Sequence, residues 1–143
     1  DDALHASRVA LKEGVQPGGG VALTRAKKKT QGRKCFKPHG AYGVGAQAFL
    51  TAMEAPIRQI AENCGVSADL VVQKVRRIPD THGYDGKNDK YGDMFELGIL
   101  DPHAVIVSAV EHSLSVACNL LSIGCIIAME DVNTSSASFF DNV

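Results

Sequence analysis

The chain has no tryptophan, and aromatic residues fill only 6% of its 143 positions. Its core must therefore come from Ala, Val, Leu and Ile, side chains that interlock between helices more readily than they build a sandwich around large rings. A mainly α fold is expected. The hydrophobic share of 45% and charged share of 22% are those of a globular domain. A chain of this length has room for one. No continuous apolar run approaches a membrane span, and the acidic Asp1-Asp2 start is unlike a signal or transit peptide.

Helical spacing organises most of the sequence. Ala3, Leu4, Ala6, Ala10 and Leu11 predict a helix over 2–13, closed by Gly14. The turn Pro17-Gly18-Gly19-Gly20 follows and opens on the apolar start Val21-Ala22-Leu23; bare backbone there permits close approach of a ligand. From Gly43 to Asn63 the apolar residues include Val44, Ala48, Phe49, Ala52, Ile57 and Ile60, and Pro56 divides them into two helices. Ser67 is placed to cap a helix through Arg77 that buries Leu70, Val71 and Val75, with Val72 at its edge. Tyr84 and Tyr91 flank Asp-Gly and Asn-Asp pairs, which predicts a small hairpin. Asp101-Pro102 reads as an N-cap followed by a first-turn proline, opening a helix to about Ser122 with Val105, Ala109, Leu114, Ala117 and Leu121 on one face. Gly124–Met129 reads as an edge strand that needs a partner from elsewhere.

The net charge of −1 hides an uneven distribution. Seven of the fifteen bases (Arg25, Lys27, Lys28, Lys29, Arg33, Lys34 and Lys37) crowd into one acid-free stretch, so the remaining eight face sixteen acids. With Gly32, Pro38 and Gly40 nearby and only Phe36 among them, they read as a solvated basic loop rather than a nucleic-acid contact. The four cysteines show no C-x-x-C spacing, and Cys118 and Cys125 read as buried core thiols. The five histidines are scattered, and no metal site is indicated.

Several runs, in order, resemble the C-terminal part of a type I chaperonin of the GroEL family. They are Asp2-Ala3-Leu4-His5-Ala6, Glu13–Leu23, Glu54–Asn63, Tyr91-Gly92-Asp93-Met94 and Gly98-Ile99-Leu100-Asp101-Pro102. The resemblance implies the end of an intermediate-domain helix at 1–13, the C-terminal half of an equatorial ATP-binding domain at 14–131, and a polar tail at 132–143. It implies that Asp2 orients the attacking water, although an exposed helix acid is the plainer reading of that residue alone. It places Gly19, Asp85, Gly86, Ile99 and Asp101 around the nucleoside: Gly19 through its backbone, Ile99 beside the adenine, Asp101 on the ribose hydroxyls. Capping a helix and binding a ribose are compatible roles for Asp101, since a carboxylate has two oxygens.

The implied cofactor is ATP with Mg²⁺. The metal would be held by residues outside this sequence, because the family's Gly-Asp-Gly-Thr-Thr phosphate loop does not occur in it. Implied partners are other subunits in seven-membered rings, with unfolded polypeptide and co-chaperonin bound only through an apical domain not represented here. Bacterial cytosol and mitochondrial matrix both suit such a protein. Lys87, in the adenine loop, and the basic stretch depart from the family pattern. A non-catalytic remnant acting as an assembly module is the competing expectation, and on either reading the chain is expected to hydrolyse no ATP alone.

Overall fold

Helices form where apolar spacing and the punctuating Gly and Pro residues place them. The computed structural model describes residues 2–31, 40–125 and 127. The helices are α1 (Asp2–Glu13), α2 (Val21–Gln31), α3 (Gly40–Ala52), α4 (Ala55–Asn63), α5 (Ala68–Arg77) and α6 (His103–Ser122). Four short strands, β1 (Val15–Pro17), β2 (His82–Asp85), β3 (Lys90–Asp93) and β4 (Leu100–Pro102), make two antiparallel pairs, β1 with β4 and β2 with β3. The fold is thus mainly α. The hairpin forms as its turn chemistry requires, with Tyr84 opposite Tyr91 and their rings 5.2 Å apart. The edge strand expected at Gly124–Met129 lies largely outside the described residues, as does the tail from 132 to 143.

The chain divides into two units, residues 1–109 and 110–143. The core of the first joins Val21 of α2, Ile57 and Ala61 of α4, Val71, Val72 and Val75 of α5, Tyr84 of β2, and Met94. Burial of each of its larger aliphatic side chains contributes roughly 1.5–3 kcal/mol. Leu70 is not among them: it is 66% exposed, and Val72 is buried in its place. The reason is that α5 packs against α4, α2 and β2 together, which calls for the broader 71/72/75 stripe. On α3, Val44 and Ala48 also face outward, lining a shallow groove with Gln47, Thr51, Ala55 and Arg58.

The structure overturns the solvated-loop reading of the basic stretch where it is described; residues 32–37 lie outside. Arg25, Lys27, Lys28 and Lys29 are helical, because α2 continues through them to Gln31. Arg25 and Lys27 are buried. Arg25 donates through Nη2 to the carbonyls of Ile78 (3.0 Å), Pro79 (2.7 Å) and His82 (3.3 Å), closing the end of α5 and the entry to the hairpin. Burial lowers the pKa of its guanidinium, an effect that Asp80 partly offsets. Lys27 Nζ lies 3.0 Å from Oε2 of Glu54, a carboxylate only 3% exposed. Arg76 donates to the other oxygen of Glu54, with Nε at 3.0 Å and Nη2 closer still.

One carboxylate thus ties α2 and α5 to the start of α4. Burial pushes the Glu54 carboxyl up, but the hydrogen bonds and charges of Arg76 and Lys27 outweigh it and hold it below its ordinary range.

Two expectations for the C-terminal part also change. Asp101 and Pro102 belong to β4, so α6 starts one residue later than the cap signal suggests, at His103. No residue of α6 is buried, and Cys118 and Cys125 are exposed. Ser, His and Glu111 interrupt every continuous apolar run in this segment, yet over an 18-residue window of the helix the mean hydropathy is 1.6. By length and composition, α6 is therefore a helix that could cross a membrane, which the search for an unbroken run missed.

Gly20 explains how the glycine turn meets this core. Its φ is +76°, and a Cβ there would lie 2.8 Å from the backbone nitrogen of Ile57. Gly14 has a similar φ of +85° but open space around it. Gly14→Ala should therefore cost about 1 kcal/mol from backbone strain alone, and Gly20→Ala more than about 2 kcal/mol because α4 must also move. Equal urea midpoints for the two variants would show that the approach to α4 carries no energy.

Glu54 yields a second expectation. Its depressed pKa adds stability above the ordinary carboxylate range that is lost as pH falls through the folded-state value. Glu54→Gln should cost on the order of 3 kcal/mol at neutral pH, since it leaves Lys27 without its counter-charge. It should also flatten the loss of stability between about pH 5 and 3, read from urea unfolding at each pH.

Candidate functional site

The triple glycine joins β1 to α2, with Gly18 buried and Gly19 and Gly20 half-buried. Gly18 N–H donates to the Ile99 carbonyl at 2.9 Å, extending the β1–β4 ladder by one rung. A Cβ on Gly18 would lie 3.0 Å from that oxygen, so the position admits no side chain without movement. Gly19 comes next, at φ +65°. A Cβ there would stand 3.6 Å from the Tyr84 carbonyl and 4.0 Å from Ile99 Cγ2. Bare backbone is thus flanked by an apolar side chain and by the hairpin. In the ladder Gln16 faces Asp101 and Pro17 faces Leu100, which sets Asp101 two rungs from the Gly18–Ile99 pair, on the same face of β4 as Ile99. Ile99 is half-buried against the core, its N–H donating to Met94 O at 2.9 Å.

The structure therefore brings together Gly19, Ile99 and Asp101, with Tyr84 and Asp85 of β2 alongside. A half-buried glycine backbone, an apolar wall and a carboxylate within a few residues of one another offer a flat ring a surface and a hydroxyl an acceptor.

Asp85 and Gly86 have structural work that the sequence reading did not give them. Asp85 Oδ1 accepts from Lys87 N–H at 3.0 Å, and Oδ2 accepts from Asn88 Nδ2 at 2.6 Å. The Asn88 bond, helped by backbone N–H groups and opposed by burial, holds the carboxyl below its ordinary pKa. Lys87 thus contributes its backbone to the turn. Gly86 packs on the end of α4: a Cβ would lie 2.6 Å from Cys64 Sγ, and that thiol donates to Gly86 O at 3.4 Å. Tyr84, only 3% exposed, donates its hydroxyl to Asp89 Oδ1 at 3.0 Å. Burial, with that carboxylate, pushes its ionisation up to about 12.

Asp2 stands apart from this group. It is the first residue of α1, and the eleven-residue rise to Glu13 is about 16 Å of helix. Among the described residues no three His, Cys, Asp or Glu side chains converge as a metal-binding group.

Sequence reasoning passed over Gln16 and His103. Gln16 Nε2 lies 2.7 Å from His103 Nδ1 although the residues are 87 apart in sequence. Each is the polar neighbour of a motif residue, Pro17 or Asp101-Pro102, and that adjacency was the available signal. Arg25 and Glu54 were hidden differently, because spacing does not reveal which charges a tertiary fold will pair.

Gly86→Ala should destabilise the hairpin by about 1–3 kcal/mol through overpacking, and adding Cys64→Ala should recover part of that loss. Additivity of the two changes in thermal unfolding would show that the thiol is not the obstacle.

The architecture has clear relatives. A group III chaperonin crystal structure in the open state matches with a TM-score of 0.73 at 29% identity, over 83% of this chain and 25% of that one. An open-state monomer of a group II chaperonin from Methanococcoides burtonii shares the fold at a TM-score of 0.74 and 22% identity, over 85% of this chain and 31% of that one. In sequence the chain is 40% identical over 139 residues to "Chaperonin GroEL 3" of Psychromonas ingrahamii, covering 96% of this chain and 25% of that protein. The chain spans about a quarter of the length of that curated relative. The TCP-1/cpn60 chaperonin family profile matches residues 1–131, and the chain belongs to that family.

Proposed function

We propose that this chain is the C-terminal part of the equatorial, nucleotide-binding domain of a type I chaperonin, serving ATP-driven protein folding. The observation that carries the reading is the convergence of Gly19, Ile99 and Asp101 beside the hairpin. The type I assignment is supported by the 40% identity to a bacterial GroEL, against 29% and 22% to the group III and group II structures.

The residues suit a nucleoside. A side chain on Gly19 would fill the space between the Tyr84 carbonyl and Ile99, whereas glycine leaves it for a ligand. In this reading Ile99 offers the adenine its apolar contact, Asp101 accepts from the ribose hydroxyls, and Gly19 offers its backbone. Asp85 and Gly86 hold the hairpin edge against which the base rests. Asp2, at the far end of α1, would orient the attacking water for in-line transfer once the intermediate-domain helix brings it to the phosphates. ATP with Mg²⁺ supplies the phosphoryl group and its charge neutralisation; the phosphate and metal ligands belong to segments outside this sequence.

Residues 1–13 are assigned to the intermediate-domain helix, 14–131 to the equatorial domain and 132–143 to a tail. The exposed apolar surface of α6 fits the inside of a larger equatorial core better than a bilayer, because Glu111, His112 and Asn119 fall within it. Partners would be other subunits of a ring, seven-membered in type I chaperonins, with unfolded polypeptide and co-chaperonin reached through the apical domain. The bacterial relative supports a cytoplasmic setting.

Two measurements test the assignment on the 143-residue chain. Titration with adenosine, followed by amide NMR shifts, should perturb Gly19, Tyr84, Ile99 and Asp101 together, and Asp101→Ala should weaken binding about tenfold. Shifts elsewhere, or none, would remove the nucleoside site. The same chain should turn over no ATP above background, and Mg²⁺-dependent hydrolysis lost in Asp2→Ala would contradict the assignment of phosphate binding to other segments.

A further inference from the structure

The β1–β4 ladder carries a polar pair that the ribose contact of Asp101 leaves unused. Gln16 lies directly opposite Asp101. Directly opposed residues of an antiparallel pair project from the same face, their Cβ atoms about 4.5–5.5 Å apart. The Gln16 side chain is therefore a neighbour of the Asp101 carboxylate on the face where Gly18 meets Ile99. His103 holds that side chain: Gln16 Nε2 donates to His103 Nδ1 at 2.7 Å. The main chain of that histidine is held in turn, since its backbone N–H donates to Gly14 O at 3.0 Å and ties the start of α6 to the end of α1.

With the Gln16 amide nitrogen facing the ring, Nδ1 is the acceptor of the pair. An imidazole that accepts at Nδ1 carries its proton on Nε2. A primary amide that gives one N–H to the ring keeps its second N–H and its carbonyl oxygen for other partners. Asp101 supplies acceptors only. A vicinal diol carries two hydroxyls, each a donor and an acceptor, so a carboxylate alone satisfies the protons and leaves the oxygens unmatched. A carboxylate with an amide beside it matches both.

We propose that Gln16 is a second ribose-reading residue and His103 its positioning residue. Together with Asp101 they make this site selective for ribonucleosides over their 2′-deoxy counterparts. Selectivity follows because loss of one hydroxyl leaves a placed polar group without its partner. The pair is exposed, so the discrimination is several-fold rather than the many thousands of a closed polar pocket. The inference rests on the nucleoside reading of Gly19, Ile99 and Asp101.

The test is binding of adenosine and 2′-deoxyadenosine to the full chain, by NMR titration, for the wild type, Gln16→Val, Gln16→Thr, His103→Ala and His103→Asn. Both Gln16 variants suit a strand. The wild type should prefer adenosine by about fivefold or more. Gln16→Val, Gln16→Thr and His103→Ala should bring that ratio close to one while leaving deoxyadenosine affinity within about twofold; His103→Asn, which keeps an acceptor, should restore part of the preference. A merely structural role would weaken both ligands equally and leave the ratio unchanged. Retained adenosine preference in the Gln16 variants overturns the inference and leaves the nucleoside site intact. Failure of the wild type to bind adenosine overturns the site reading, and this inference with it.

Discussion

The approach of bare backbone to α4 and to Ile99 is the contact on which the described core is built. Gly20 admits the chain to within van der Waals range of the Ile57 backbone, and Gly18 closes a rung with Ile99. Between them Gly19 is half-buried. If Gly18 or Gly20 carried a side chain, α2 could not enter the core with Val21 fully buried while β1 pairs with β4. The same geometry that seats a helix thus leaves a glycine backbone beside Ile99 and the Tyr84 carbonyl. Fold and site share one cause, which is why the site lies where a loop turns into α2 rather than in a deep cavity.

The second constraint is electrostatic. Three helices meet at Glu54, and its burial is tolerable only because Lys27 and Arg76 bring their charges to it. Arg25, one turn of α2 away from the glycines, uses its Nη2 to satisfy three carbonyls at the entry to the hairpin. Its Nε and Nη1 have no hydrogen-bond partner among the described residues, although Nε lies 3.7 Å from Asp80. Such buried cations contribute geometry more surely than net stability. Here they fix the distance between α2, which leaves the glycine turn, and the strand that carries Tyr84 and Asp85.

Local chemistry made much of this legible in the sequence. Gly14, Pro56, Pro79 and the Asp-Gly turn ended or began elements where backbone rules require, and Tyr84 paired with Tyr91 as the turn implies. Motif order revealed the chaperonin relationship because it preserves residues whose spacing no single element explains. What stayed hidden was tertiary. Leu70 and Val72 exchanged places because α5 has three neighbours, a fact absent from its own periodicity. The basic stretch looked solvated because charge density along a chain says nothing of which charges an opposing helix will neutralise. The strands β1 and β4 are three residues each, too short for alternation to register, and their pairing spans most of the chain. Of the candidate site, Gly19, Ile99 and Asp101 were named from motifs, but nothing in their spacing set Gly19 against Ile99 and the hairpin.

Gly18 and Gly20 are constrained strongly, since the fold itself needs bare backbone at both. Positions one step away on the ladder face are not. Gln16, and His103 bonded to it, occupy such places, and a change at either leaves Gly18, Gly20 and the core beneath untouched. A short two-stranded ladder is well suited to this, because opposed residues on one face form a small and separable set. On the proposed nucleoside reading, selectivity for the sugar would be tuned through such cross-strand neighbours while the geometry that joins site to fold is left alone.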